Sequence, residues 1–316
     1  MKYKKRKFVP KECLHVYQRT VRGVNIFYEP EDRIVFYTIF SVLAKVYDVR
    51  ILELCLMIDH IHVLLSAESM ADISAYIRHY SSLFVREYNQ SVGRQGPLFF
   101  KSFGSAPKVG SKKIRSAIVY IGNNPVEKKL CSSAEQYRWN FLAYLKDTNP
   151  YSSSVRLSRC SMKMRRAMKM VKGSYTRNEY LSYACVRGLF EGLDDSEREQ
   201  LTDYILSLFN PLDKESLLSF YETYDDMVHA MRSTVGGEYD IKEVFHAGSD
   251  VIYDEMAEFV SKEYHISPVR KVTVLPDEVR LEIAAQLRIR FSASVYQISK
   301  FLHLPKLWEG KMMIVS

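Results

Sequence analysis

Residues 51–66, ILELCLMIDHIHVLLS, form a dense apolar run interrupted by two histidines and an aspartate. Valine, isoleucine and leucine favour extended backbone, and Asp59 stands where a tight turn would break the run. The stretch therefore divides into two strands, Ile51 to Met57 and Ile61 to Ser66. Side chains alternate along a strand, which places His60, His62 and Leu64 on one face and Ile61, Val63 and Leu65 on the other. Two imidazoles side by side on a rigid support suit a divalent metal; two histidines satisfied at a sheet surface is the other reading these residues allow.

Working outward, Glu12 to Phe27 is rich in β-branched and aromatic residues and reads as a first strand with a bend at Arg22-Gly23. Glu29 to Tyr47 carries Ile34, Val35, Ile39, Val42, Leu43 and Val46 at helical spacing, opened by Pro30 and acidic residues. Beyond the histidines, Met70 to Asn89 sets Ile73, Ile77, Tyr80, Phe84 and Tyr88 on one helical face before Gly93 and Gly96-Pro97 end it. LFFKSF, residues 98–103, reads as an aromatic strand. Lys112 to Asn124 repeats an apolar stripe through Ile114, Ala117, Ile118 and Ile121, and Pro125 makes Asn124 the expected last residue of that helix. Tyr120 and Asn124, four apart, then share a face, where an amide oxygen could complete a coordination sphere begun by two histidines.

The net charge of +8 is uneven along the 316 residues: residues 1–150 hold 23 Lys and Arg against 13 Asp and Glu, and the remainder 22 against 24. A basic half that also carries the histidine pair most often meets a polyanion, nucleic acid being the commonest. The five cysteines are scattered, with no CxxC pair, which argues against a disulfide framework and a cysteine zinc site and fits a reducing cytoplasm. Neither a secretory h-region nor an apolar run long enough to span a bilayer is present, so a cytoplasmic protein without a membrane partner is expected.

Four ordered segments resemble one family, the IS200-like tyrosine transposases of the HUH nuclease superfamily, and within it the REP-associated branch. They are HVYQRTVRGVNIFYEPED (15–32), MIDHIHVLL (57–65), HYSSLFVREYNQSVGRQGPLFFKSF (79–103) and VYIGNNPVEKKLCSSAEQYRWN (119–140). The resemblance implies a ferredoxin-like antiparallel sheet with helices, an α+β fold. It also implies that His60, His62 and Asn124 hold Mg²⁺ or Mn²⁺ and that Tyr120 is the nucleophile. The activity it implies is cleavage and rejoining of single-stranded or hairpin DNA through a 5′-phosphotyrosine. Two departures stand out: Ile58-Asp59 replaces the family's Pro-Asn, and Gly104 follows Phe103 where a basic residue is usual. Lys101, Lys108, Lys112, Lys113 and Arg115 are the basic residues placed to contact phosphates instead. Phe99, Phe100 and Phe103 could stack bases, with core packing as the alternative. Because of Gly104, a domesticated DNA-binding protein of the same fold, with little or no cleavage, is the competing reading. Relatives include dimers that exchange the tyrosine helix and monomers that do not, so monomer and homodimer both stay open.

The polar stretch DTNPYSSSV, 147–155, reads as a boundary. Helical patterns then fill 160–234, and His229, His246, His265 and His303 are isolated. Residues 275–310 have the spacing of a helix-turn-helix, with a second helix over Ser294 to Leu302. The expected layout is a nuclease-like domain at 1–150, a helical region at 151–262 and a possible helix-turn-helix at 263–316.

Overall fold

The computed structural model describes residues 7–156, 158–234 and 249–304. Its centre is a four-stranded antiparallel sheet in the order β2-β3-β1-β4, made of β1 (Cys13–Arg19), β2 (Arg50–Leu56), β3 (His60–Ser66) and β4 (Gly104–Lys108). Three helices accompany it: α1 (Pro30–Val46), α2 (Met70–Val92) and α3 (Ser111–Glu127). The expected α+β fold is present, with helices on both faces of the sheet. Gln18 of β1 reaches Ser81 and Tyr80 of α2, whereas His62 of β3 meets Asn124 of α3. The hairpin β2-β3 closes through the Met57 amide donating to the His60 carbonyl at 2.9 Å.

Three boundaries differ from the sequence reading. The first strand stops at Arg19, because Arg22 and Gly23 both take left-handed backbone (φ 64° and 67°) and the chain does not return to the sheet. Leu98 to Phe103 is consequently not a strand: its neighbour has turned away, leaving a single bridge from Phe99 to Thr20 and two backbone bonds, Val21 N–H to Leu98 O and Phe100 N–H to Arg19 O. The edge strand begins at Gly104, where the Tyr17 ring lies so close that a Cβ would fall 1.9 Å from its Cζ. The residue that departs from the family pattern is thus the one the Tyr17 ring requires. Finally, α3 runs through Pro125 to Glu127; proline removes one hydrogen bond in the last turn without reversing the chain, so Asn124 stays helical.

Beyond the sheet lie α4 (Met162–Thr176), α5 (Tyr183–Phe190), α6 (Asp195–Leu208), α7 (Lys214–Leu218) and α8 (Tyr224–Ser233). The hydrophobic core does not stop at the polar stretch 147–155: one cluster gathers residues from Cys13 to Met231. Buried Asp203 of α6 explains how that stretch is held, since it accepts from the Tyr144 and Ser152 hydroxyls and the Tyr151 amide at 2.6–3.0 Å. A second cluster is formed by α9 (Val251–Glu263), α10 (Asp277–Phe291) and α11 (Val295–Leu302), joined by Tyr28 and Ile58 of the N-terminal part. The two clusters are linked by Arg270, which is buried against Asp32 of α1 at 3.0 Å and lies 3.9 Å over the Tyr183 ring. Among the described residues no helix is long and apolar enough to cross a membrane.

Candidate active site

The register of β1 against β3 sets Tyr17 opposite His62 and Arg19 opposite His60, so these four side chains and His15 share the face that α3 covers. His62 is fully buried, with Nδ1 3.0 Å from His15 Nε2 and Nε2 3.3 Å from the Asn124 amide nitrogen. His60, at the start of the strand, has Nδ1 2.6 Å from Asp59 Oδ1. The two rings stand 5.0 Å apart and nearly perpendicular.

Because α3 stays helical through Asn124, Tyr120 and Asn124 do project from one face, and both reach the histidines. The Tyr120 ring packs edge-on to His62 at 5.5 Å and to His15 at 5.8 Å. A helix and a strand of the same chain therefore bring together all four residues singled out from sequence. All four are nearly inaccessible: Tyr120 is 1% exposed, His60 9%, His62 and Asn124 0%.

This burial lowers the proton affinity of two of the imidazoles, His62 and His15. Removal from water holds the His62 ring well below the usual histidine range, reinforced by His60, His15 and Arg19 nearby. His15 is pushed down to about 3 by burial and by the neighbouring Lys108. A neutral His62 bonded to a neutral His15 is most simply satisfied when His62 Nδ1 donates and His15 Nε2 accepts, a tautomer assigned from the network. Likewise His60 Nδ1 donates to the Asp59 carboxylate. With both imidazoles neutral, as metal ligation requires, each keeps its lone pair on Nε2. His60 Nε2 and Asn124 Oδ1 are buried without a hydrogen-bond partner, and turning the Asn124 amide would aim its oxygen, not its nitrogen, at His62 Nε2. Two imidazole lone pairs and an amide oxygen suit a divalent ion, each imidazole being oriented through its other nitrogen. Among the described residues no three His, Cys, Asp or Glu side chains are placed to hold a metal together; beside the two histidines Asn124 offers a donor of another type.

His15 was missed from sequence. The available signal was its position on the first strand, two residues before Tyr17 on the same face, but the register that sets it against His62 is not readable locally. Glu53 of β2 was missed as well: it is fully buried beside Gly122 of α3, with neither oxygen hydrogen-bonded, and burial raises its carboxyl well above the usual range.

Of the basic residues expected to contact phosphate, Lys101, Lys112, Lys113 and Arg115 are exposed, and Arg115 lies 5.0 Å over the Tyr221 ring. Lys108 is buried on β4 and only 8% exposed. Its side chain is turned inward beside His15, so it does not present its charge at the surface. Lys101 instead belongs to a groove of about 670 Å³ between α2 and residues 97–103, lined by Arg78, Arg86, Lys101 and three phenylalanines with no carboxylate. Phe100 is 51% exposed there, whereas Phe99 is buried.

No curated protein matches this chain in sequence. Among solved structures, a REP-associated tyrosine transposase bound to a REP hairpin is similar at 14% identity, over 44% of this chain and 81% of that one, with a TM-score of 0.37. It is over residues 12–124, from the first strand to the asparagine of the tyrosine helix, that this chain matches the family of IS200-like transposases.

Proposed function

We propose that the N-terminal part of this chain is a metal-dependent tyrosine nuclease and strand transferase acting on single-stranded or hairpin DNA. The observation that carries the reading is the convergence of Tyr120, His62, His60 and Asn124 from a helix and a strand of one chain. His60, His62 and Asn124 would hold Mg²⁺ or Mn²⁺, which when bound supplies positive charge against a scissile phosphate. Tyr120 Oη forms the bond to phosphorus as the bond from phosphorus to the 3′-oxygen breaks, leaving a 5′-phosphotyrosine and a 3′-hydroxyl. The proton given up by the phenol is matched by the one the 3′-oxygen takes, and attack by a later 3′-hydroxyl reverses the step. Arg78, Arg86 and Lys101 with the exposed Phe100 ring offer a single strand cationic phosphate partners and a stacking surface. The layout proposed is a nuclease-like unit at 1–150, a helical region at 151–262 whose helices α4 to α8 share its core, and a terminal helix pair within 263–316.

One observation favours the second reading, a DNA-binding protein without cleavage. Tyr120 is almost wholly buried, so a phosphodiester reaches it only if covering residues move. The terminal helix pair, α10 and α11, has helix-turn-helix spacing, but α11 directs Lys300 onto Asp59 and not outward. Residues 305–310, which complete that spacing in sequence, lie outside the described residues.

Incubation of the protein with labelled hairpin DNA and Mn²⁺ separates the two readings. A covalent adduct, absent in Tyr120→Phe, supports the nuclease; retained binding with no adduct from the unaltered protein supports the alternative.

A further inference from the structure

We infer that Lys300 of α11 is a positioning residue for His60, acting through Asp59, so that the C-terminal helical module is a working part of the site. The inference rests on the reading of His60 as a metal ligand. Lys300 Nζ lies 2.9 Å from Asp59 Oδ2, and Asp59 Oδ1 lies 2.6 Å from His60 Nδ1. The two oxygens of one carboxylate are thereby shared between a lysine from the end of the chain and a histidine of the central sheet.

Lysine on a short surface helix ordinarily keeps its ammonium in water, yet Lys300 is only 7% exposed. A buried ammonium persists when a charge partner offsets its desolvation, and Asp59 is that partner. The carboxylate accepts the proton of His60 Nδ1, which turns Nε2 toward the site. His62 receives the corresponding support from His15, inside the N-terminal part. The pair of imidazoles is thus oriented from two different regions of the chain.

The helix bearing Lys300 is itself fixed against the segment following β1. Tyr28 Oη donates to the Phe301 carbonyl at 2.5 Å, the Asn25 amide donates to the Lys300 carbonyl at 3.2 Å, and His303 Nε2 donates to the Asn25 carbonyl at 2.6 Å. A second junction joins the start of α9 to the end of α3, where the Asp250 amide donates to the Lys128 carbonyl at 3.3 Å. The module therefore touches the turn that carries His60 and the helix that carries Tyr120 and Asn124. Asp59 acquires a role here that asparagine would not fill, since an amide carries no charge to offset the buried Lys300 ammonium.

Two readouts on the full chain test this. In metal-free protein, ¹⁵N-edited histidine spectra are expected to place the His60 proton on Nδ1, and Lys300→Met and Asp59→Asn to shift that tautomer population. Titration with Mn²⁺ followed by electron paramagnetic resonance is expected to give affinity about ten-fold weaker in both variants. Lys300→Arg should restore most of the affinity, and Tyr28→Phe, which removes a docking bond but no charge, should leave both readouts unchanged. Should Lys300→Met fail to fold, Asp59→Asn decides alone. An unaltered His60 tautomer in the folded variants overturns the inference, as does a loss in Tyr28→Phe equal to that in Lys300→Met. Absence of a DNA adduct alongside a shifted tautomer counts against the nuclease reading and leaves the positioning role standing.

Discussion

The two faces of the central sheet are built from the same three strands and could hardly be less alike. Under α1 and α2 lie Leu14, Val16, Leu54, Leu56, Ile61, Val63 and Leu65, capped by an aromatic layer of Phe36, Phe40, Tyr76, Tyr80 and Phe84 with ring centroids 5.0–6.0 Å apart. Under α3 lie His15, His60, His62, Glu53 and Cys55, met by Tyr120 and Asn124. Burial of apolar area drives folding, while buried polar groups cost free energy unless they are bonded. The first face therefore stabilises the fold, and the second retains unsatisfied atoms at His60, Asn124 and Glu53 that packing does not explain. Such a division is expected where a rigid scaffold supports a chemical site.

Substitutions on the two faces should separate stability from chemistry. The largest effect is expected from Tyr120→Phe, which should abolish the covalent DNA adduct while shifting the urea midpoint by the equivalent of no more than about 1 kcal/mol. An adduct formed by this variant would remove the chemical role from the polar face. Phe84→Ala on the opposite face should cost about 3–5 kcal/mol of unfolding free energy, because it empties a fully buried aromatic site. Mn²⁺ affinity of the folded fraction should not change. If it does, the faces are coupled and the comparison fails.

The groove beside α2 offers a smaller test. Replacing Arg78, Arg86 and Lys101 together with alanine should weaken single-strand binding about ten-fold near physiological salt. The slope of log affinity against log salt should fall by about 0.7 for each phosphate no longer neutralised. An unchanged slope would place the DNA elsewhere. The smallest effect concerns Glu53. Burial raises its folded carboxyl above the unfolded value, so the folded state keeps a proton that the unfolded chain releases. The associated stability is complete below the unfolded value near 4.5 and is lost as pH rises toward the folded one. Glu53→Gln, which mimics the protonated form, should raise the urea midpoint more at pH 8 than at pH 5, by the order of 1 kcal/mol. Equal effects at the two pH values would mean that Glu53 is charged in the folded protein.

Much of the N-terminal architecture was legible because it is written in short-range periods. Alternation put His60 and His62 on one face, a 3.6-residue repeat put Tyr120 beside Asn124, and turn residues marked the hairpin within a residue or two. Misreadings arose where a local pattern lacked its partner. Leu98 to Phe103 has strand composition, but no strand runs beside it once Arg22 and Gly23 turn the chain. Lys108 looks like a surface cation in sequence, yet its place on β4 turns it inward.

By itself, then, the sequence determined the elements and which side chains share a face, because φ/ψ preference and side-chain period act over a few residues. Only the tertiary structure decided that His15 supports His62, that the 147–155 stretch does not interrupt the core, and that Lys300 reaches Asp59. Those pairings join residues far apart in the chain, and their choice follows from how apolar faces are mutually buried, a property of the whole packed molecule that no local window contains.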